Sequence, residues 1–141
     1  MKSNLDRFIE AQAGSYQSAL SEMKNGRKRS HWMWYIFPQI QGLGLSETAR
    51  FYAIQDLQEA EEYARHPVLG SRLVAISTAL LGVKSNDANA VMGSPDDLKL
   101  KSSMTLFAAM PGADPVFQAV LEKFFNGAKD EKTLRIIGQS R

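Results

Sequence analysis

Hydrophobic positions along this chain recur at helical spacing. Tyr16, Ala19, Leu20 and Met23 fall at i, i+3, i+4 and i+7, one face of a 3.6-residue period. Phe117, Val120, Leu121 and Phe124 repeat that pattern, and Leu69, Leu73, Ile76 and Leu80 make a third stripe. Shorter stripes run through Leu5, Phe8 and Ile9 and through Leu134 and Ile137. The punctuation between them is that of helix ends. Ser15, Asp56, Asp114 and Asp130 can each accept a first-turn N–H, and Ser85-Asn86-Asp87 opens a short helix that stops at Gly93. Pro67 and Pro115 suit a first helical turn, while Gly26, Gly82 and Asn126-Gly127 suit helix stops. Ser94-Pro95-Asp96-Asp97 reads as the clearest start, with a cap, a proline at the first helical position and acids at the positive helix end. That helix ends at Met110-Pro111-Gly112.

One strand-like run interrupts the pattern, Trp32-Met33-Trp34-Tyr35-Ile36-Phe37. It does not alternate, and no second run exists to pair with it. A lone strand leaves its backbone groups unsatisfied. The expectation is a buried helical turn or short helix ending before Pro38. The chain as a whole predicts an all-α fold, a single compact domain of about seven or eight short helices.

Composition sharpens this picture by exclusion. The 141 residues suit one domain, and a chain of this length buries roughly 68% of its unfolded surface. There are no cysteines, which excludes disulfides, thiolate metal sites and a thiol nucleophile. With two histidines and no close histidine–carboxylate pattern, neither a metal nor a cofactor is expected. The Met1-to-Asp6 start lacks the apolar core of a signal peptide, and no apolar run approaches a membrane span. The expected location is the cytoplasm. Net charge is +2, from 17 basic and 15 acidic residues, too balanced to suggest nucleic acid as the partner. Arg27-Lys28-Arg29, the one basic cluster, reads as a solvated loop.

Candidate chemistry concentrates in residues 31–55. Both tryptophans and two of the four tyrosines lie there. Gly42 and Gly44 bracket Leu43, allowing a positive φ or a close backbone approach, and Ser46 can cap a helix running through Tyr52. The Gly-Leu-Gly run matches neither the dinucleotide nor the P-loop fingerprint. An aromatic cluster of this kind is ordinarily core, with His31 a satisfied imidazole. Alternatively His31, Trp34, Tyr35 and Gln39 line a pocket, with His31 the candidate for acid, base or donor. Lys99, Ser102 and Ser103 share one helix face and could hold a phosphate or carboxylate; otherwise they form a solvated stripe. His66, before Pro67, reads as a helix-end residue.

Several long motifs resemble those of an uncharacterised bacterial family of small all-helical proteins, a domain of unknown function sometimes mislabelled calpastatin. They are Ser30-His31-Trp32-Met33-Trp34-Tyr35-Ile36-Phe37-Pro38-Gln39, Gly42-Leu43-Gly44-Leu45-Ser46, Tyr52-Ala53-Ile54, His66-Pro67-Val68-Leu69-Gly70-Ser71-Arg72-Leu73, the run from Pro95-Asp96-Asp97 to Leu106-Phe107 and the stretch from Phe124 to Thr133. The resemblance implies an all-α fold and brings no established activity. The stretch from Gly70-Ser71-Arg72-Leu73 to Asp97 also resembles, loosely, part of the helical superfamily that processes NAD and ADP-ribose. Three functional expectations follow. The first is a pocket for a small anionic, nucleotide-like or phosphorylated molecule. The second is a non-enzymatic protein-interaction or regulatory module. The third, from the loose resemblance, is N-glycosidic cleavage of an NAD- or ADP-ribose-like substrate.

Overall fold

The computed structural model describes residues 5–138. Met1 to Asn4, read above for a targeting signal, lie outside the described residues. The chain runs through α1 (Asp6–Ala13), α2 (Tyr16–Lys24), α3 (Met33–Ile36), α4 (Glu47–Phe51) and α5 (Leu57–Arg65). It continues through α6 (Leu69–Leu81), α7 (Ala88–Met92), α8 (Asp96–Ala108), α9 (Pro115–Phe125) and α10 (Glu131–Ile136). The fold is all-α, as expected. There are ten helices among the described residues rather than seven or eight, three of them, α3, α4 and α7, only four or five residues long. The strand-like run at 32–37 is α3.

Local chemistry explains most helix ends. Asp56, Asp87, Asp114 and Asp130 each accept a first-turn N–H with a side-chain oxygen, as Ser46 does for α4. His66 acts through its ring: Nδ1 accepts from the N–H groups of Val68 (3.1 Å) and Leu69 (3.2 Å) at the start of α6. Two expected caps differ. Ser15 precedes α2, but its hydroxyl donates to Ala11 O and shares a hydrogen bond with the Tyr35 hydroxyl. At α8 the flanking residue is Pro95, not Ser94, and it has no side chain that can cap. The first-turn N–H groups there go instead to Gly93 O, from Asp97, and to Asp97 Oδ1, from Leu98.

Helix α8 is the centre of the packing. It contacts α5, α7, α9 and α10, and Leu100, Ser102, Ser103, Met104, Thr105, Leu106 and Phe107 are all buried. Phe107 sits between the Tyr63 and Phe117 rings, at 5.5 and 5.7 Å between centroids. Each large apolar side chain buried in this way contributes about 1.5–3 kcal/mol. Two of its buried hydroxyls are bonded: Ser102 and Thr105 donate to the carbonyls four residues back, and Thr105 Oγ1 also accepts from the Asp130 N–H.

Polar groups fasten the short helices to the long ones. Arg7 of α1 is buried, and its Nε donates to Phe51 O at 2.7 Å. Its Nη2 donates to Ala53 O at 2.8 Å and pairs with Glu59 Oε1 at 3.3 Å. The same Glu59 oxygen accepts the Gln55 N–H at 2.9 Å. Farther along α1, Gln12 Nε2 donates to Tyr35 O (2.8 Å) and to the Tyr63 hydroxyl (2.9 Å). In α2, Glu22 accepts from the N–H groups of Arg29 and Ser30, the Ser30 hydroxyl and Trp32 Nε1, which locks the turn before α3.

Two outcomes follow from these fastenings. Arg7→Ala strands the buried Glu59 carboxylate and two carbonyls, and should lower unfolding free energy by about 3–5 kcal/mol in urea melts. Arg65→Ala, which removes an exposed i,i+4 pair with Glu61, should change it by less than about 1 kcal/mol. Equal losses in the two variants would refute the role given to Arg7. For Glu22, burial pushes the carboxyl pKa up, but the four hydrogen bonds outweigh it and hold the value at about 2, against an ordinary 4.5. A depressed carboxylate stabilises the fold above its unfolded value, so this contribution should be present above pH 4.5 and fade as pH falls toward 2. As pH is lowered from about 6 to about 2.5, urea midpoints should fall less steeply for Glu22→Gln than for the native chain.

Candidate functional site

Residues of α3 and α4 line an open groove of about 780 Å3. Trp34 and Tyr35 of α3 form one wall. Glu47, Thr48, Arg50 and Phe51 of α4, with Tyr52 just after it, form the other. Three of the lining rings, Tyr35, Tyr52 and Phe51, touch in series. Tyr35 and Tyr52 lie 5.3 Å apart between centroids, Tyr52 and Phe51 meet edge to face at 4.8 Å, and Phe8 backs Tyr52 from the core at 5.9 Å. Burial raises the Tyr52 phenol above its ordinary pKa, and neighbouring Tyr35 adds to this.

The loop that carries α4 is closed at its base. Ile54 N–H donates to Gln39 O and Gln41 N–H to Ile54 O, both at 2.8 Å, which pairs Ile40 with Ile54. Its two glycines play different parts. Gly42 has φ +97°, which favours glycine, and Gly44 packs so close to α4 that an added Cβ would lie 2.5 Å from Ala49 Cβ. The close approach seats α4 beside Trp34, and Gln39 lies in the narrow crevice of about 10 Å3 between them.

Charge is arranged unevenly around the groove. Glu47 and Arg50 both line it one helical turn apart, yet among the described residues neither forms an ion pair or side-chain hydrogen bond. Lys99 is committed elsewhere: its Nζ lies 5.0 Å from the Trp34 ring centroid and 3.3 Å from Asp96 Oδ1. The other Asp96 oxygen holds Lys28 Nζ at 2.9 Å, and that ammonium lies 5.0 Å from the Trp32 ring centroid. One charge of the basic cluster is therefore folded inward rather than solvated.

The structure brings together only part of the expected site. Trp34 and Tyr35 line the groove, Gln39 borders its crevice, and Lys99 sits against Trp34 without lining the groove. His31 is exposed and outside the lining; what it offers is its carbonyl, which accepts from the Tyr35 hydroxyl. Ser102 and Ser103 join neither an open phosphate-binding face nor a solvated stripe. Four helices surround α8, so Ser102 is buried and bonded to Leu98 O, and Ser103 is fully buried with no partner for its hydroxyl.

Glu47, Thr48, Arg50, Phe51 and Tyr52 complete the groove and were not anticipated as site residues. Their signal was present in the sequence, an Arg-Phe-Tyr run in the same aromatic segment. Nothing local says that this run folds back on Trp34. A second cavity, about 240 Å3, lies between α5, α6 and the turn after α8, where Glu61 and Arg65 pair with each other at 3.5 Å. Among the described residues no three His, Asp or Glu side chains cluster to hold a metal ion, and no helix is long and apolar enough to cross a membrane.

Comparison with known proteins agrees on the fold and is silent on activity. The conserved hypothetical protein Rv1873 from Mycobacterium tuberculosis, known from a crystal structure, is 44% identical; the match covers 96% of each chain with a TM-score of 0.94. No curated protein matches significantly. The family model described as Protein of unknown function (DUF1810) matches residues 2–137. With the model spanning nearly the whole chain, this protein belongs to the DUF1810 family, whose function is unknown.

Proposed function

We propose that the groove between α3 and α4 binds a small anionic molecule that carries a flat ring, a nucleotide-like ligand. The observation that carries this reading is the convergence of Trp34, Tyr35, Phe51 and Tyr52 on one open surface with Arg50, which forms no ion pair among the described residues. Aromatic faces stack on flat rings with little regard to sequence or substituent, contributing about 1–3 kcal/mol per ring. A guanidinium that is not neutralised by a neighbour is suited to a phosphate, which it can hold with two parallel hydrogen bonds. Binding is favoured over N-glycosidic cleavage because the groove wall has a single carboxylate, Glu47, and His31 lies outside it. The cytoplasmic location forms part of this proposal, supported by the lack of cysteine and the ready supply of such ligands there.

A second reading, the interaction module, is favoured by Leu45 and Phe51. Leu45, just before α4, and Phe51, its last residue, are 77% and 55% exposed beside the groove.

Thermal unfolding against nucleotides, ADP-ribose-like compounds and phosphorylated sugars tests the first reading. A ligand at 100 times its Kd should add roughly 2.7 kcal/mol and raise Tm. It should also change the emission of half-buried Trp34, whereas Trp32 is sealed in the core. Trp34→Ala and Arg50→Ala should each weaken binding by about tenfold or more. Affinity unchanged in both variants, or no stabilisation by any compound, would move the weight to the interaction module. In that case Phe51→Glu should abolish partner capture.

A further inference from the structure

We infer that the groove selects a guanine-type base, with Glu47 as the residue that reads it. This rests on the nucleotide-like reading above and adds the identity of the ring. Glu47 and Arg50 stand at i and i+3 on α4, where side chains are neighbours and opposite charges commonly pair. They do not pair, and no other group among the described residues neutralises either one. The groove therefore presents an acceptor-only group and a donor-only group side by side, against one aromatic wall.

An ionised carboxylate has two oxygens and no donor. It fits a base edge that offers two adjacent N–H groups. Guanine has that edge, in its N1–H and N2 amino group. Adenine and cytosine set an amino group beside a ring nitrogen whose lone pair would face the carboxylate. Uracil sets one N–H between two carbonyls. With the ring stacked on an exposed face of the groove's aromatic lining and its donor edge on Glu47, the phosphate falls to Arg50, one turn along the same helix. The base and phosphate ends are thus told apart by charge, since a phosphate placed at Glu47 would be repelled.

Calorimetric titration of the full chain with GMP, AMP, CMP, UMP and guanosine tests the assignment. GMP should bind at least about fivefold tighter than the other three nucleotides, the scale of one bidentate base contact. Glu47→Gln replaces one acceptor by a donor and should erase that preference, with GMP weakened while AMP, whose amino group and ring nitrogen match an amide, is not weakened. Arg50→Ala should weaken GMP and spare guanosine. Both side chains are exposed, so Tm of the free variants should match the native chain. Equal binding of the four nucleotides, preference for another base, or a guanine preference that survives Glu47→Gln would overturn the role of Glu47 while leaving the nucleotide-like reading standing. Failure of every nucleotide and of the wider panel to bind would overturn both.

Discussion

The buried guanidinium of Arg7 is the constraint on which the rest of this structure hangs. Taking such a charge out of water costs several kcal/mol unless its donors are met. Here they are met by Phe51 O, Ala53 O and Glu59 Oε1. Phe51 is the last residue of α4, so its carbonyl is one that the helix cannot satisfy for itself. A five-residue helix is too short to persist alone. It exists because Ser46 caps one end, Arg7 takes the carbonyls of the other, and the Ile40–Ile54 pairing closes the loop behind it.

The opposite wall of the groove hangs from the same helix. Gln12, five positions after Arg7 and likewise buried on α1, donates to the carbonyl of Tyr35 in α3. Glu22 of α2 fixes the approach to α3 through Trp32 Nε1 and the backbone of residues 29 and 30. Helix α1 thus sets the spacing between two short helices that make no regular structure with each other. The aromatic groove is a consequence of that spacing, and its walls are as well placed as Arg7 and Gln12 are well satisfied.

Much of the fold was legible in the sequence, and particular residues show why. Asp56, Asp114 and Asp130 cap where their spacing from the apolar stripes says they should, because capping is decided within one turn of chain. Asn126 and Gly127 take positive φ at the end of α9 for the same local reason. Ser15 does precede α2, but its hydroxyl is engaged by Ala11 O and by Tyr35 from another helix, and at α8 the flanking residue is Pro95 rather than Ser94, with Gly93 O and Asp97 Oδ1 taking the first-turn N–H groups. Helix α8 shows the limit of periodicity. Its stretch from Ser102 to Phe107 is buried all round and has no polar face to read, so Ser102 and Ser103 looked like a surface stripe and are core.

The candidate site divides along the same line. The sequence by itself determined the helical class, the positions of the longer helices, and the concentration of aromatic chemistry in residues 31–55, because each depends on neighbours within a turn or two. Only the tertiary structure decided that Phe51 and Tyr52 would face Trp34 and Tyr35, that His31 would stand outside, and that Lys99 would lie on a tryptophan while Arg50 stayed open. Those outcomes depend on Arg7 reaching residues 51, 53 and 59, and on Gln12 reaching 35, contacts between segments whose separation along the chain leaves no periodic mark.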